Sequence, residues 1–173
     1  MRHLPNLISV VRLLAGPGIA WLLLAGEREW VAPLCLAAGL TDLLDGFLAR
    51  RLGLASHTGA YLDPIADKIF VGCVVLAMAW TGLLPAWLVA LMIGRDVLIL
   101  AGGMWLRSRT GEKNFPPSIL GKLSTFFQIS AAMTSLAAVL AFLRPLAILL
   151  AALFTIASGL DYLRRGWKIA RSH

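Results

Sequence analysis

The chain has 173 residues, of which 59% are hydrophobic and 14% are charged. Soluble domains are about half apolar and about one quarter charged, so this composition excludes an ordinary water-soluble fold and predicts an integral membrane protein. The net charge of +7 needs no nucleic-acid partner, because anionic lipid headgroups attract basic residues at the cytoplasmic ends of membrane helices.

Apolar runs separated by turn signals predict six helices, and each helix needs roughly 20 residues to cross a bilayer. The longest uncharged run is interrupted by Thr81-Gly82-Leu83-Leu84-Pro85, which is a turn signal. The predicted helices lie near 6–25, 30–51, 60–80, 85–107, 120–142 and 145–165. We therefore expect one all-α domain over residues 1–173 with six transmembrane helices.

The distribution of basic residues predicts the orientation of these helices. If both termini are cytoplasmic, eleven Lys and Arg residues fall in inside segments, and only Arg28 and Arg144 fall in outside loops. This asymmetry is the positive-inside pattern. We therefore expect cytoplasmic termini and a bacterial-type inner membrane as the location.

The first predicted helix carries three polar residues, Asn6, Ser9 and Arg12. Asn6 and Ser9 are three residues apart, so they share a helix face from which both can reach a ligand. Helix capping is the alternative role for Asn6. The charge of Arg12 lies inside a predicted span, which favours a binding role.

Four aspartates lie within the 26 residues from Asp42 to Asp67, across the second and third predicted helices. Each charge near the centre of a membrane helix costs about 2.5 to 3.5 kcal/mol on insertion scales, so a functional reason is required. Asp42 and Asp45 share one helix face, and Asp63 and Asp67 share another. The second helix descends to the cytoplasm and the third returns from it, so both pairs are expected near one cytoplasmic cavity.

Carboxylates that converge in a cavity of low dielectric constant repel one another and take up protons unless cations hold them. All-oxygen ligands favour a hard ion, Mg²⁺ or Mn²⁺, and no Cys or His lies at matching positions for zinc. Two such ions balance four negative charges and leave coordination positions for phosphate oxygens. The pattern therefore predicts a two-metal site.

Small residues and one arginine accompany the aspartates. Gly46, Ala49 and Gly59 leave a groove where a ligand can approach the backbone, although small residues also serve plain helix packing. Arg50 is a fixed cation that can hold a phosphate by two hydrogen bonds. Together these residues suit a nucleotide diphosphate.

The complete pattern, Asp42-x-x-Asp45-Gly46-x-x-Ala49-Arg50-(x)8-Gly59-x-x-x-Asp63-x-x-x-Asp67, resembles the signature of the CDP-alcohol phosphatidyltransferases. The resemblance implies transfer of a phosphatidyl group from CDP-diacylglycerol to an alcohol, with release of CMP and a requirement for Mg²⁺ or Mn²⁺. It implies that the four aspartates bind metal, that Asp67 is also the general base, and that the small residues and Arg50 bind the nucleotide. It also implies a homodimer.

Two further segments share this resemblance. The opening Leu4-Pro5-Asn6-Leu7-Ile8-Ser9-Val10-Val11-Arg12 resembles the start of phosphatidylglycerophosphate synthases, which implies that Asn6 and Ser9 contact the donor. Ser56 matches a position where some relatives carry a donor-binding hydroxyl. A solvated loop serine is the alternative for Ser56.

The acceptor alcohol is not specified by the aspartate motif, and Arg12, Arg95 and Lys122 are the candidate acceptor-binding residues. Adjacent helix residues point about 100° apart, so Arg95 and Asp96 are each expected to pair with a residue on another helix, and a buried pair that neutralises itself is the alternative. Gly121-Lys122-Leu123-Ser124-Thr125 resembles phosphatidylglycerophosphate synthases, whereas Arg95-Asp96 is closer to eukaryotic-type cardiolipin synthases. Glycerol 3-phosphate is the first expected acceptor and phosphatidylglycerol the second, ahead of inositol phosphate or serine.

A divalent-cation transporter is the main alternative from another class, because intramembrane aspartates also line ion pathways. Transporters commonly carry paired repeats with a site near the bilayer midplane. Here the acidic cluster occurs once and lies toward one side, which favours an enzyme whose active site faces the cytoplasm. A structural scaffold gives no reason for four embedded carboxylates.

Overall fold

A computed structural model describes the backbone of residues 4–52, 59–110 and 118–171, and the side chains of residues 11, 13–41, 67–109, 118–169 and 171. The described residues form six α-helices and one 3₁₀ helix, and they contain no strand. The helices are α1 (Leu4–Leu24), α2 (Arg28–Leu52), α3 (Gly59–Trp80), α4 (Ala86–Thr110), α5 (Ile119–Leu136) and α6 (Arg144–Arg171), and the 3₁₀ helix is Ala138–Leu143.

The predicted all-α class and the six predicted helices are confirmed in this described part of the chain. The main difference is α5, which ends at Leu136 instead of near residue 142. Ala137 is extended, with φ −90° and ψ 109°, and no Gly or Pro signals this end in the sequence. The hydroxyls of Ser130 and Ser135 donate to carbonyls four residues earlier, at 2.9 and 2.7 Å, a pattern that bends and weakens a helix. The helix α6 begins directly after the 3₁₀ helix and extends to Arg171, beyond its predicted end near residue 165.

Two segments of the described chain are long and apolar enough to cross a bilayer, judged by length and composition. They are Ala86–Arg109, which lies in α4, and Ala138–Ile169, which joins the 3₁₀ helix to α6. In the most apolar 18-residue stretch of each segment, only 17% is buried within the protein. The remaining apolar surface is available to lipid or to a partner.

The chain divides into two compact units, Met1–Leu83 (unit 1) and Leu84–His173 (unit 2). In unit 1, α1 and α3 end in the same way, at Gly26 and Gly82, which have φ values of +90° and +72°. After Gly82, the N–H of Leu83 donates to the carbonyl of Met78 at 2.9 Å, and an equivalent bond follows Gly26. These are Schellman motifs, in which a left-handed residue closes the helix. The predicted turn at residues 81–85 is confirmed.

The core of unit 1 is the contact between α1 and α3, with a smaller contact between α1 and α2. The closest approach is at Gly16, where a Cβ atom would lie 2.8 Å from the Cα atom of Phe70. Ile19 and Leu23 continue the buried face of α1, and Val74 continues that of α3. A glycine at the crossing therefore lets two helix backbones touch, as in close membrane helix pairs.

In unit 2, α6 packs on both α5 and α4. Small residues allow close packing of α5 on α6, because Ala131 and Ala151 are fully buried. Polar side chains add to this interface. Gln128 Nε2 donates to Ser124 Oγ at 3.1 Å and to Thr155 Oγ1 at 2.9 Å, and the two hydroxyl oxygens are 3.2 Å apart. Hydrogen bonds of this kind hold membrane helices together where the hydrophobic effect does not.

Candidate functional site

The aspartate motif lies on α2 and α3, the two helices that flank residues 53–58. The second half of α2 carries Asp42, Asp45, Gly46, Ala49 and Arg50, while α3 begins at Gly59 and carries Asp63 and Asp67. Asp42 lies about 15 Å along α2 from its end, and Asp67 lies about 12 Å from the start of α3. The backbone therefore brings both carboxylate pairs to similar depths from the same connection.

Several predicted site residues cannot be compared with the structure at the level of side chains. Ser56 lies outside the described residues. The same is true of the side chains of Asn6, Ser9, Arg12, Asp42, Asp45, Gly46, Ala49, Arg50, Gly59 and Asp63. For these ten residues the structure gives helix membership and position along the helix.

The packing of α1 on α3 relates the first helix to the aspartates. Because α2 returns the chain between them, α1 and α3 run in the same direction, and their register is given by Gly16 opposite Phe70. Position 9 of α1 and position 63 of α3 each lie seven residues, about 10 Å along the helix, before this crossing. Ser9 and Asp63 are therefore equally far along their helices from the closest approach of α1 and α3.

Asp67 is half-buried and lies one turn before Phe70 on the face of α3 that packs against α1. The next residue, Lys68, is exposed on another side of the helix. Asp67 therefore combines partial access with an apolar helix contact one turn away. A carboxylate in such a place can exchange a proton with a ligand.

The donor set of the motif fits a hard divalent cation, because it consists of carboxylates only, and the two pairs lie on helices that are consecutive in the chain. Among the side chains that the structure describes, no group of three His, Cys, Asp or Glu residues competes with it. Oxygen ligands of this number also leave room for the oxygens of a diphosphate. The chemistry of the motif and its helix positions are therefore consistent with each other.

A second polar cluster lies in unit 2 around Arg95 of α4. Its Nε and Nη2 donate to Ser158 Oγ of α6 at 3.2 and 2.8 Å, and its Nη1 donates to Asp96 Oδ1 at 2.8 Å. The guanidinium carbon lies 5.8 Å from the ring centroid of Tyr162, also on α6. The Arg95 side chain is only 12% exposed, and Ser158 is fully buried. The cation is therefore held in a defined place by α6 and by its own neighbour.

The expectation that Arg95 and Asp96 would not pair with each other was wrong. Their side chains form an ion pair at 2.8 Å, since a long arginine side chain can bend around the helix to reach the adjacent residue. The expectation of a partner on another helix is confirmed for Arg95, which binds Ser158. Burial explains both results, because a guanidinium that is mostly out of water needs several acceptors.

The start of α5 forms the other side of this cluster. Ser118 caps α5, and its Oγ accepts from the N–H of Gly121 at 2.9 Å. A Cβ atom at Gly121 would lie 3.1 Å from Arg95 Nη2, so the guanidinium lies directly against this first turn. Lys122 is the next residue and is exposed. The structure therefore brings two predicted acceptor-binding residues, Arg95 and Lys122, to one end of α5.

Sequence reasoning missed Ser118, Ser158 and Tyr162. The N–H of Ser118 donates to the Tyr162 hydroxyl at 3.4 Å, which links the cap of α5 to α6. One signal was available, because Ser158 and Tyr162 are four residues apart and share a face of α6. Their partner on α4 was not deducible from that spacing.

The known proteins that this chain resembles include glycerol-3-phosphate 3-phosphatidyltransferases and cardiolipin synthases. The chloroplastic CDP-diacylglycerol–glycerol-3-phosphate 3-phosphatidyltransferase 1 of Oryza sativa subsp. japonica is 35% identical, over 73% of this chain and 44% of that protein. The CDP-diacylglycerol–glycerol-3-phosphate 3-phosphatidyltransferase of Bacillus subtilis is 30% identical, over 99% of each chain. A probable cardiolipin synthase (CMP-forming) of Drosophila melanogaster is 34% identical, over 78% of this chain and 47% of that protein.

The chain thus spans about half the length of the rice and fly relatives and nearly the full length of the bacterial one. The sequence model of CDP-alcohol phosphatidyltransferases matches residues 2–157. This match includes α1, the whole aspartate motif, Arg95 and the first turn of α5, and it ends one residue before Ser158. On these grounds the chain belongs to the CDP-alcohol phosphatidyltransferase family.

Proposed function

We propose that this protein transfers the phosphatidyl group of CDP-diacylglycerol to glycerol 3-phosphate, which yields phosphatidylglycerophosphate and CMP. The observation that carries the proposal is the complete aspartate motif on α2 and α3 in a chain that aligns over nearly its full length with a bacterial relative named for this reaction. The rice relative, which has the same activity in its name, supports the same acceptor.

All six α-helices cross the membrane in this proposal, as parts of one domain with both termini in the cytoplasm of a bacterial-type cell. The tryptophans support it. All six lie near helix ends with at least about half of their surface exposed: Trp21, Trp30, Trp80, Trp87, Trp105 and Trp167. Aromatic residues in such places sit at the membrane–water interface. Trp105 and Trp167 carry Arg109 and Arg171 over their rings, at 5.1 and 4.9 Å, which suits the cytoplasmic headgroup region.

In the donor site, Asp42, Asp45, Asp63 and Asp67 would hold two Mg²⁺ or Mn²⁺ ions. Bound metal would neutralise the diphosphate and stabilise the CMP leaving group. Gly46, Ala49 and Gly59 leave space for the nucleotide, and Arg50 binds its phosphate. Asn6, Ser9 and Ser56 contribute polar groups to CDP-diacylglycerol. The packing of α1 on α3, with Gly16 against Phe70, supports a donor site shared by these helices.

Asp67 is the general base in this proposal. It accepts the proton of the attacking hydroxyl while the phosphorus–oxygen bond to CMP breaks and the new phosphodiester bond forms. Its half-buried position on α3 supports this role, because a base must reach the substrate yet lie partly outside bulk water. The attacking hydroxyl approaches in line, opposite CMP.

Arg95 and Lys122 bind the phosphate of the acceptor in this proposal, and Arg12 of α1 is a further candidate for acceptor binding. The support is that Arg95 lies against the first turn of α5, next to Lys122. An immobilised guanidinium and a mobile ammonium group recognise a phosphate in complementary ways, by directed hydrogen bonds and by charge. The protein acts as a homodimer in this proposal, as the family resemblance implies.

Phosphatidylglycerol is the second candidate acceptor, which would make the protein a cardiolipin synthase. The specific observation is Arg95-Asp96, the form that resembles cardiolipin synthases and that forms an ion pair here. The fly relative carries that name. Because Asp96 already neutralises part of the charge on Arg95, the cluster is also compatible with a phosphodiester, which bears one negative charge less than a phosphate monoester.

The test is a CMP-release assay with purified protein, CDP-diacylglycerol, Mg²⁺ and one alcohol at a time. We expect CMP release with glycerol 3-phosphate and little with inositol phosphate or serine. Release with phosphatidylglycerol alone would replace the first acceptor by the second. No CMP release with any alcohol, from protein that is folded and supplied with Mg²⁺ or Mn²⁺, would contradict the proposed reaction.

A further inference from the structure

The Arg95 guanidinium is held by residues that play no part in the aspartate motif. Ser158 accepts two of its hydrogen bonds, from Nε at 3.2 Å and from Nη2 at 2.8 Å, through one fully buried hydroxyl oxygen. Both donors lie on one edge of the planar group, so a single oxygen fixes the plane and the direction of the fork. A salt bridge to Asp96 alone would leave that plane free to turn.

Tyr162 and Gly121 limit the same group from two other sides. The Tyr162 ring lies 5.8 Å from the guanidinium carbon, which is within the range of a cation–π contact. Gly121 leaves space that a side chain would occupy, because a Cβ atom there would be 3.1 Å from Arg95 Nη2 and 3.2 Å from Ser118 Oγ. Both neighbours are hydrogen-bonded to Ser118, because the Tyr162 hydroxyl accepts from its N–H at 3.4 Å and the N–H of Gly121 donates to its Oγ at 2.9 Å.

The hydrogen bonds to Ser158 and Asp96 use three of the five N–H groups of Arg95. Among the described side chains, one N–H on each terminal nitrogen has no such acceptor. Two N–H groups with fixed directions can bind two oxygens of one phosphate group tightly. Preorganisation of this kind raises affinity because less conformational entropy is lost on binding.

We propose that Ser158, Tyr162 and Gly121 are positioning residues that fix the Arg95 guanidinium for the phosphate group of the acceptor alcohol. The inference rests on the proposed function, since it concerns the acceptor side of that reaction. It adds α6 and the first turn of α5 to the elements that determine acceptor specificity. None of the three residues touches the reacting atoms in this account; they act through Arg95.

The main experiment compares the KM for glycerol 3-phosphate with the KM for CDP-diacylglycerol in four variants. Ser158→Ala and Gly121→Ala should each raise the acceptor KM by about tenfold, because a misdirected guanidinium loses charge-assisted hydrogen bonds. The donor KM should change by less than about twofold. The matched controls are Ser130→Ala, whose hydroxyl bonds only its own helix, and Gly102→Ala on α4, where no described atom lies within 4 Å of the added Cβ.

Rescue separates positioning from folding. Ser158→Thr keeps the acceptor oxygen and should recover most of the lost acceptor affinity, while Ser158→Ala should not. If Ser158→Ala and Gly121→Ala lower kcat and leave the acceptor KM unchanged, or if the controls raise that KM equally, the positioning role is wrong.

A binding measurement makes the inference independent of turnover. Glycerol 3-phosphate should raise the melting temperature of the wild-type protein more than the same concentration of glycerol does, and Ser158→Ala should remove this difference. If the difference is present and sensitive to Ser158 while no alcohol releases CMP, the proposed reaction fails and the positioning role stands. If CMP is released but neither the melting difference nor the acceptor KM responds to Ser158, the positioning role fails and the reaction stands.

Discussion

Unit 1 carries the candidate donor residues on helices that follow one another directly, whereas unit 2 assembles the Arg95 cluster from α4, α5 and α6. The aspartates of unit 1 recur at helical spacing within 26 residues, so one motif contains them. In unit 2, Arg95 and Ser158 are 63 residues apart and meet only through packing. A compact motif therefore describes the candidate donor residues of unit 1, whereas the Arg95 cluster of unit 2 is defined only by the tertiary structure.

The largest effect is expected in unit 1, from Asp67→Asn. Loss of the proposed general base should lower kcat by about 10²- to 10⁴-fold, while binding of CDP-diacylglycerol is largely kept. CMP release and a donor-binding assay measure the two properties separately. Glu29→Gln, at an exposed position in the first turn of α2, is the control and should be near wild type. Loss of donor affinity in Asp67→Asn would instead assign this residue mainly to metal binding.

The corresponding change in unit 2 is Arg95→Ala. It should lower kcat/KM for the acceptor by about 10²-fold, because a charged hydrogen-bond donor is lost from the phosphate site. The KM for CDP-diacylglycerol should stay near wild type, and this split between the substrates is the measurement. Arg109→Ala, also on α4 but stacked on Trp105 at 5.1 Å, should leave both constants unchanged. An equal rise in both KM values would contradict the assignment of Arg95 to acceptor binding alone.

Stability in unit 1 should depend on the helix crossing at Gly16. Gly16→Ala should destabilise the protein by about 1 to 3 kcal/mol, because the new Cβ would lie 2.8 Å from a backbone atom, which cannot move aside alone. Thermal unfolding in detergent measures the loss. Gly18→Ala is the matched control, with no described atom within 4 Å of its Cβ, and should be neutral or more stable by up to about 1 kcal/mol from helix propensity. Equal melting temperatures for the two variants would contradict the crossing.

The smallest effect is expected from Thr155→Val in unit 2, where polar bonds join α5 to α6. The change keeps the shape but removes the oxygen that lies 2.9 Å from Gln128 and 3.2 Å from Ser124. It should cost about 0.6 to 1.7 kcal/mol in thermal unfolding, which is the range for hydrogen bonds between membrane helices. Thr134→Val is the control, since Thr134 bonds only carbonyls of its own helix. A larger loss in the control would show that interhelical bonding is not the cause.

Much of the fold was predictable because its signals are local. The turn at residues 81–85 contains Gly82, and only a residue that tolerates φ +72° closes α3 there without strain. The end of α5 was not predictable, since no Gly or Pro marks Ala137. The hydroxyls of Ser130 and Ser135 bond carbonyls of α5 itself, but serines make the same bonds in the middle of helices, so they do not signal a helix end. The pairing of Arg95 with Asp96 was missed for a related reason. A spacing rule gives the directions of Cβ atoms, whereas a long side chain in a buried place follows the available acceptors.

The sequence by itself determined the all-α class, the six helices, the membership in the CDP-alcohol phosphatidyltransferase family and the candidate donor residues from Asp42 to Asp67. Each of these depends on composition or on spacing along a single helix, which the helical period converts directly into positions. Only the tertiary structure decided that Gly16 is where α1 and α3 touch, and that Ser158, Tyr162 and Gly121 surround Arg95. Contacts between helices depend on register and depth of packing, and residues that meet in this way carry no common spacing in the chain.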